Sequence, residues 1–241
     1  MLDLFGQAIL DFQTNNNPED LITETSISDE DEMSVAYLFR DFESMPKLEQ
    51  VALNLSFGNV LDVGCGAGSH SLYLEKNKKL TVLPIDISKK AIQACHLRGL
   101  VSAKAMDILD LENKKFETIL VLMNGTGIFK NLLQTAIYLQ KLRSLLSDNG
   151  QILIDSSDII YMYDDAEDEE AEGSKWIPTN GYYGELTFKV SYKNQTEVPF
   201  EWLFLDFNTF QNAANANGLL CELVQEGEHF DYLARLTLLK E

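Results

Sequence analysis

Positive charge is what this chain has least of: 19 Lys and Arg stand against 38 Asp and Glu, for a net charge of −19 with histidine neutral. Holding nucleic acid by its phosphates requires clustered bases, so neither DNA nor structured RNA is expected as a partner. Cysteine is also scarce. Cys65, Cys95 and Cys221 are odd in number and far apart, which argues against a disulfide framework and a zinc site, and no metal is expected. No apolar run reaches the roughly 18 residues of a membrane span, and residues 1–7 lack the basic segment and apolar stretch of a signal peptide. A cytoplasmic protein without membrane contact follows as the expectation.

What is present is ordinary in amount and uneven in placement. Hydrophobic residues make up 45% of 241 positions, enough for one α/β domain or one domain with a sizeable insertion. The first 45 residues hold eleven acids and one base, Arg40, and residues 164–172 hold seven acids in nine positions. Such runs read as solvated surface or as attraction for a cationic ligand.

Leu4, Phe5, Ala8, Ile9 and Phe12 recur at helical spacing until the break at residues 15–18. Ser28 followed by Asp31 resembles an N-cap for a second helix carrying Val35, Leu38, Phe39 and Phe42, and Pro46 opens a third to about Leu55. Residues 1–57 therefore read as a helical lid or flank. From residue 58 to 241 the pattern alternates, with strands expected at 60–63, 81–85, 102–105, 116–122, 151–154, 219–225 and 231–238. Helices are expected between them at 69–76, 89–98, 132–146 and 209–217, with residues 147–150 as a turn. This predicts an α/β fold with a doubly wound, mostly parallel seven-stranded sheet whose last strand is antiparallel. Residues 156–207 break the alternation and read as an insertion, an acidic loop followed by a β-hairpin.

The most specific segment is Asn59-Val-Leu-Asp-Val-Gly-Cys-Gly-Ala-Gly-Ser-His70, a buried strand running into three alternating glycines. Gly64, Gly66 and Gly68 remove every β-carbon from one side of the turn, so a ligand can approach bare backbone. A dinucleotide fingerprint reads G-x-G-x-x-G; here the third glycine comes one place early, and Asp62 precedes the turn. Asp86 ends the second strand, 18 residues beyond Gly68, where an acid can accept both hydroxyls of a ribose.

The run D-V-G-C-G-A-G, with Val82-Leu-Pro-Ile-Asp86-Ile-Ser after it, resembles the first two cofactor motifs of class I S-adenosylmethionine-dependent methyltransferases. The resemblance covers about residues 59–239 and implies a Rossmann-like fold, S-adenosyl-L-methionine as cofactor and S-adenosyl-L-homocysteine as product. It implies cofactor contacts from Gly64, Cys65, Gly66, Ala67 and Gly68, from Asp86 and Ile87, from Asp107 and Ile108 around the adenine, and from Met123 and Asn124 to the methionine part. Asp62 would orient the glycine turn. Asp110 competes with Asp107, since either acid can instead close a turn. The two-proline signature of amino-group methylation on nucleobases or glutamine is missing after strand four, which reads Leu122-Met-Asn-Gly-Thr-Gly127.

Methyl transfer from a sulfonium is in-line displacement, so alignment matters most and a base is optional. His229 and Tyr37 are the candidates for that base, whereas His70, opening the first helix, reads as a packing or capping residue. For the acceptor, position points to Tyr37, Arg40, Asn124, Tyr161 and Tyr183, with residues 155–158, Tyr182 and Trp202 as further wall. Arg40 pairs either with a ligand carboxylate or, on the surface, with Asp41 or Glu43. The expectation is a methyltransferase acting on a small molecule at an O, N or C atom, monomeric or homodimeric. The alternatives are a non-catalytic S-adenosylmethionine-binding or interaction protein and, disfavoured by the glycine spacing, an NAD-dependent oxidoreductase.

Overall fold

The computed structural model describes residues 2–163 and 181–239, so the acidic run at 164–172 lies outside the described residues. The chain opens with α1 (Leu4–Thr14), which Asp3 caps by accepting from the Gly6 N–H at 3.0 Å and which Asn15 ends in a left-handed turn. Strands β1 (Leu21–Thr25) and β2 (Ser28–Met33) then form an antiparallel hairpin. Short 3-10 turns at Val35–Phe39 and Phe42–Ser44 lead into α2 (Lys47–Leu55).

The helix expected from Ser28 is therefore a strand and a 3-10 turn. Ser28 and Asp31 imitate a capped helix start, but β1 is rich in β-branched residues and offers Ser28–Met33 a ladder partner. Pairing across the sheet outweighs a weak local cap.

The alternating part runs β3 (Asn59–Val63), α3 (Ser69–Lys76), β4 (Thr81–Asp86), α4 (Lys89–Leu97), β5 (Lys104–Ala105), β6 (Phe116–Val121), α5 (Leu132–Leu145) and β7 (Leu146–Ser157). The expected turn at 147–150 lies inside β7, absorbed by a register shift opposite Phe116 and Thr118. After it come β8 (Glu185–Tyr192), β9 (Gln195–Thr196), β10 (Phe200–Leu203), α6 (Phe207–Ala216), β11 (Leu219–Glu226) and β12 (Asp231–Leu238).

Seven strands form one sheet in the order β11-β12-β7-β6-β3-β4-β5. Pairs among β5, β4, β3, β6 and β7 are parallel, and β12 joins β7 antiparallel. The chain leaves β3 toward β4 and returns to the other side with β6, so a crevice opens above the carboxyl ends of β3 and β6. Val60, Leu61, Ile119, Leu120, Ile152 and Leu153 are fully buried because helices cover both faces. Each such side chain contributes on the order of 2 kcal/mol by leaving water.

The inserted hairpin pairs with the N-terminal segment. β8 lies between β10 and β1, giving a second antiparallel sheet ordered β10-β8-β1-β2, with β9 on β8. Residues read as separate lid and insertion thus build one layer. Buried Asp11 of α1 ties it further, accepting from Lys193 Nζ at 2.8 Å and Tyr192 Oη at 3.1 Å. Thr126 Oγ1 donates to Leu203 O at 2.9 Å, which fastens β10 to the turn after β6, at the carboxyl edge of the main sheet. Among the described residues no helix is long and apolar enough to cross a membrane.

Candidate active site at the carboxyl edge of the sheet

The three glycines of the turn all have positive φ: 69° at Gly64, 52° at Gly66 and 81° at Gly68. Their surroundings differ. A β-carbon on Gly64 meets nothing within 4 Å, whereas one on Gly68 falls 2.4 Å from Leu100 Cδ1 and 3.0 Å from Cys95 Sγ. Gly64 leaves bare backbone facing open space; Gly68 lets α4 and its following loop pack against the turn.

Asp86 organises this turn. Its Oδ2 accepts the Gly66 N–H at 2.9 Å and its Oδ1 accepts the Ser88 N–H at 2.8 Å, while the Gly64 and Cys65 N–H groups donate to Ile85 O. Burial raises the Asp86 carboxyl above its ordinary value, against the two backbone donors. Each carboxylate oxygen keeps acceptor capacity for a hydroxyl.

Asp62, expected to orient the turn, is bonded to the helix that follows the turn. It is 2% exposed and accepts from Ser71 Oγ at 2.6 Å, tying β3 to α3. Burial raises its pKa and the His70 charge opposes that rise.

Beyond Asp86, Ile87 is 78% exposed between half-buried Asp86 and Ser88, while Ile108 is buried. Asp107 accepts the Leu109 N–H at 2.9 Å and caps the 3-10 turn Ile108–Asp110; Asp110 itself is exposed. Ala67 is buried against Ile9 of α1, and Cys65 Sγ lies 3.9 Å from Cys95 Sγ.

At the end of β6, Met123 and Asn124 carry φ of 68° and 56°, two consecutive left-handed residues with side chains. Asp155 of β7 braces them: Oδ2 accepts the Met123 N–H at 3.1 Å and Oδ1 accepts the Gly125 N–H at 2.9 Å. Ser157 Oγ donates to Asn124 Oδ1 at 2.8 Å. Burial pushes Asp155 up to about 6, against the Gly125, Asn124 and Met123 N–H groups and helped by the Glu49 charge.

Arg40 pairs with neither Asp41 nor Glu43. Its side chain is 5% exposed and its Nη2 pairs with Glu49 Oε1, while its guanidinium lies 3.9 Å over the Tyr37 ring and Nη1 donates to Tyr37 O at 2.6 Å. His70 Nε2 meets Glu49 Oε2 at 2.6 Å. Burial works to raise Glu49, but the His70 hydrogen bond and the charges of His70 and Arg40 outweigh it, and its pKa lies below the ordinary value. Burial works to lower His70, yet the Glu49 bond and the Asp62 and Glu49 charges bring it above its ordinary value.

Of the remaining expected residues, Tyr161 stacks on Phe230 with ring centroids 4.9 Å apart, and Tyr183 Oη donates to Asp158 Oδ1 at 2.8 Å. Both lie past the end of β7. His229 is exposed on the β11–β12 hairpin. The structure thus gathers the glycine turn, Asp86, Asp107, Met123, Asn124, Tyr37 and Arg40 along the carboxyl ends of β3 to β6, and leaves His229 outermost. A hollow of about 270 Å³ lined by Asn59, Thr81, Lys114 and Phe116 lies at the opposite, amino ends of the strands.

Sequence reasoning does not single out Glu49, although a signal exists: it shares the buried face of α2 with Leu48, Ala52 and Leu53. Asp155 is expected only as wall. Its grip on the Met123–Asn124 pair depends on β6–β7 register, which no local pattern carries.

The site suits a cofactor without phosphates: a Cβ-free turn open at Gly64, a carboxylate for hydroxyls at Asp86 and an uncovered apolar side chain at Ile87. Residues 56–201 match the family described as methyltransferase domain. The solved structure of a SAM-dependent methyltransferase from Bacteroides fragilis in complex with S-adenosyl-L-homocysteine is 41% identical, covers 98% of this chain and 94% of that one, and superposes with a TM-score of 0.88. PH0226 from Pyrococcus horikoshii OT3 shares the fold at 18% identity, with 79% and 88% of the two chains covered and a TM-score of 0.59. DesVI from Streptomyces venezuelae shares it at 14%, with 85% and 95% covered and a TM-score of 0.56. No curated protein matches. The chain belongs to the class I S-adenosylmethionine-dependent methyltransferases, and S-adenosylmethionine is its cofactor.

Proposed function

We propose that this methyltransferase modifies a small-molecule acceptor bound between the Tyr37–Arg40 turn and the residues that follow β7. In this reading Asp86 receives the ribose hydroxyls and the backbone of Gly64 to Gly68 underlies the cofactor. Asp107 takes the adenine amino group, with Ile87 and Ile108 against the ring. The Met123 and Asn124 peptides meet the methionine part. Bound S-adenosylmethionine supplies an electrophilic methyl on a sulfonium; the chain's own residues align the nucleophile and keep water out.

The observation that carries the cofactor placement is Asp86, held at 2.9 and 2.8 Å to the turn and to the start of α4. A net charge of −19 favours a small acceptor over a phosphate polymer. Tyr37 stays a neutral phenol, because burial raises it, the Arg40 charge opposing and Glu49 and Asp155 adding to the rise. It therefore orients an acceptor rather than deprotonating one. Arg40 Nε, buried without a hydrogen-bond partner among the described residues, offers one more donor.

S-adenosyl-L-homocysteine at about 100 times its Kd should stabilise the fold by about 2.7 kcal/mol, and Asp86→Ala should remove most of the resulting shift in Tm. An unchanged affinity in that variant places the ribose elsewhere. Methyl-labelled cofactor incubated with a metabolite extract, and separately with RNA and protein, tests the acceptor class. Label confined to macromolecules would overturn the small-molecule reading.

A further inference from the structure

We propose that Asp155 is a positioning residue for methyl transfer, holding the left-handed Met123–Asn124 pair in the one conformation that presents its peptides to the cofactor. The inference rests on the assignment of those two residues to the methionine part.

Two adjacent side-chain-bearing residues at positive φ do not stay there unaided. The N–H groups of Met123 and Gly125 flank the pair, and both donate to one carboxylate, at 3.1 and 2.9 Å. Asp155 sits one residue past Ile154, which pairs with Val121 at the end of β6, so the bracket spans the point where the ladder stops. Ser157, two residues on and on the same face of β7, holds the Asn124 side chain. The segment is thus held at two backbone amides and one side chain, all from a single neighbouring strand.

Only the ionised acid can accept from both N–H groups with both oxygens free of protons. Protonation turns one oxygen into a donor and releases one of the flanking amides. The charged and titratable groups facing Asp155 are Glu49 from α2 and Tyr37 from the 3-10 turn; its partner on β12 is Leu233. With burial bringing the acid up to about 6, roughly a tenth of the molecules hold the bracket at pH 5, and apparent cofactor affinity should fall up to about tenfold from its value at pH 8.

The test is titration calorimetry with S-adenosyl-L-homocysteine from pH 5 to 8 on the wild type and on D155N, M123G, D155N/M123G and D86A, with kcat and KM for the cofactor alongside. D155N should bind roughly 10- to 100-fold more weakly at pH 8 and lose the pH dependence centred near 6. Glycine at 123 accepts positive φ without a brace, so D155N should cost markedly less in the M123G background, and M123G alone should flatten the pH profile. Wild-type affinity at pH 8 in D155N, a retained pH dependence in D155N, or an equal loss in both backgrounds each overturns the proposal. If D155N does not fold, the wild type and M123G decide: a wild-type affinity flat from pH 5 to 8 overturns it. D86A separates the two readings, since loss of binding there with none in D155N sinks only the role of Asp155.

Discussion

Replacing Glu49 with Gln should cost the fold more than any other single charge-to-amide change at the N-terminal flank. Glu49 is 4% exposed and lies between two cationic side chains, Arg40 on Oε1 and His70 on Oε2 at 2.6 Å. Glutamine keeps the volume and one acceptor oxygen and removes the charge. His70 can shed its proton in response, but Arg40 cannot, and a buried partner left unpaired costs about 3–5 kcal/mol. With His70 relieved, the lower end applies, about 3 kcal/mol. For a chain of 241 residues each kcal/mol moves Tm by roughly 2–4 °C, so a drop of roughly 6–12 °C is expected.

The pH dependence follows from the two shifts. Glu49 is depressed, so its contribution is present above its ordinary 4.5 and lost as pH falls through the folded value. His70 is raised, so its contribution is complete below its ordinary 6.5 and lost as pH rises through the folded value. The gap between wild type and Glu49→Gln is therefore widest between these two ordinary values and narrows on either side. Thermal melts by circular dichroism in matched buffers at five pH values measure it. A variant within about 1 °C of wild type at pH 5.5, or a gap independent of pH, refutes the reasoning.

Two glycine variants should separate packing from ligand approach. Gly68→Ala forces a β-carbon into Leu100 and Cys95 at positive φ and should lower stability by about 2–4 kcal/mol. Gly64→Ala meets open space, so it should cost about 1–2 kcal/mol of strain yet reduce S-adenosyl-L-homocysteine affinity at least as much as Gly68→Ala does; equal melting losses in the two would refute the distinction. Asp155→Asn should shift stability in the opposite sense to binding. The folded state raises this acid from 3.8 to about 6, so its contribution is full below 3.8 and gone above 6, at a cost of up to about 3 kcal/mol at pH 8. The Tm of the variant relative to wild type should therefore be higher at pH 8 than at pH 4, as melts at both values will show, and a difference of the reverse sign refutes the assignment.

The strands and helices from residue 59 onward were legible because each carries its own signal. β3 is a continuous apolar run around Asp62, α4 starts at a serine that accepts the Ala91 N–H, and α6 starts at Asp206, which accepts the Thr209 N–H. The glycine spacing and Asp86 pointed to the cofactor for the same reason: bare backbone after one strand and an acid at the end of the next are local features, each written within a few residues. Ser28–Met33 misled because the hairpin it makes with β1 is held in place by β8, and that pairing, at a sequence separation of about 165 residues, leaves no local trace.

What the sequence by itself determined is the fold class, the family and the identity of the cofactor. Tertiary structure decided the rest. It turned Asp62 toward Ser71, sent Arg40 to Glu49 rather than to its sequence neighbours, joined the N-terminal hairpin to the insertion, and put Asp155 across the Met123–Asn124 pair. Each of these outcomes depends on burial and strand register, and both are properties of the packed chain rather than of any segment of it.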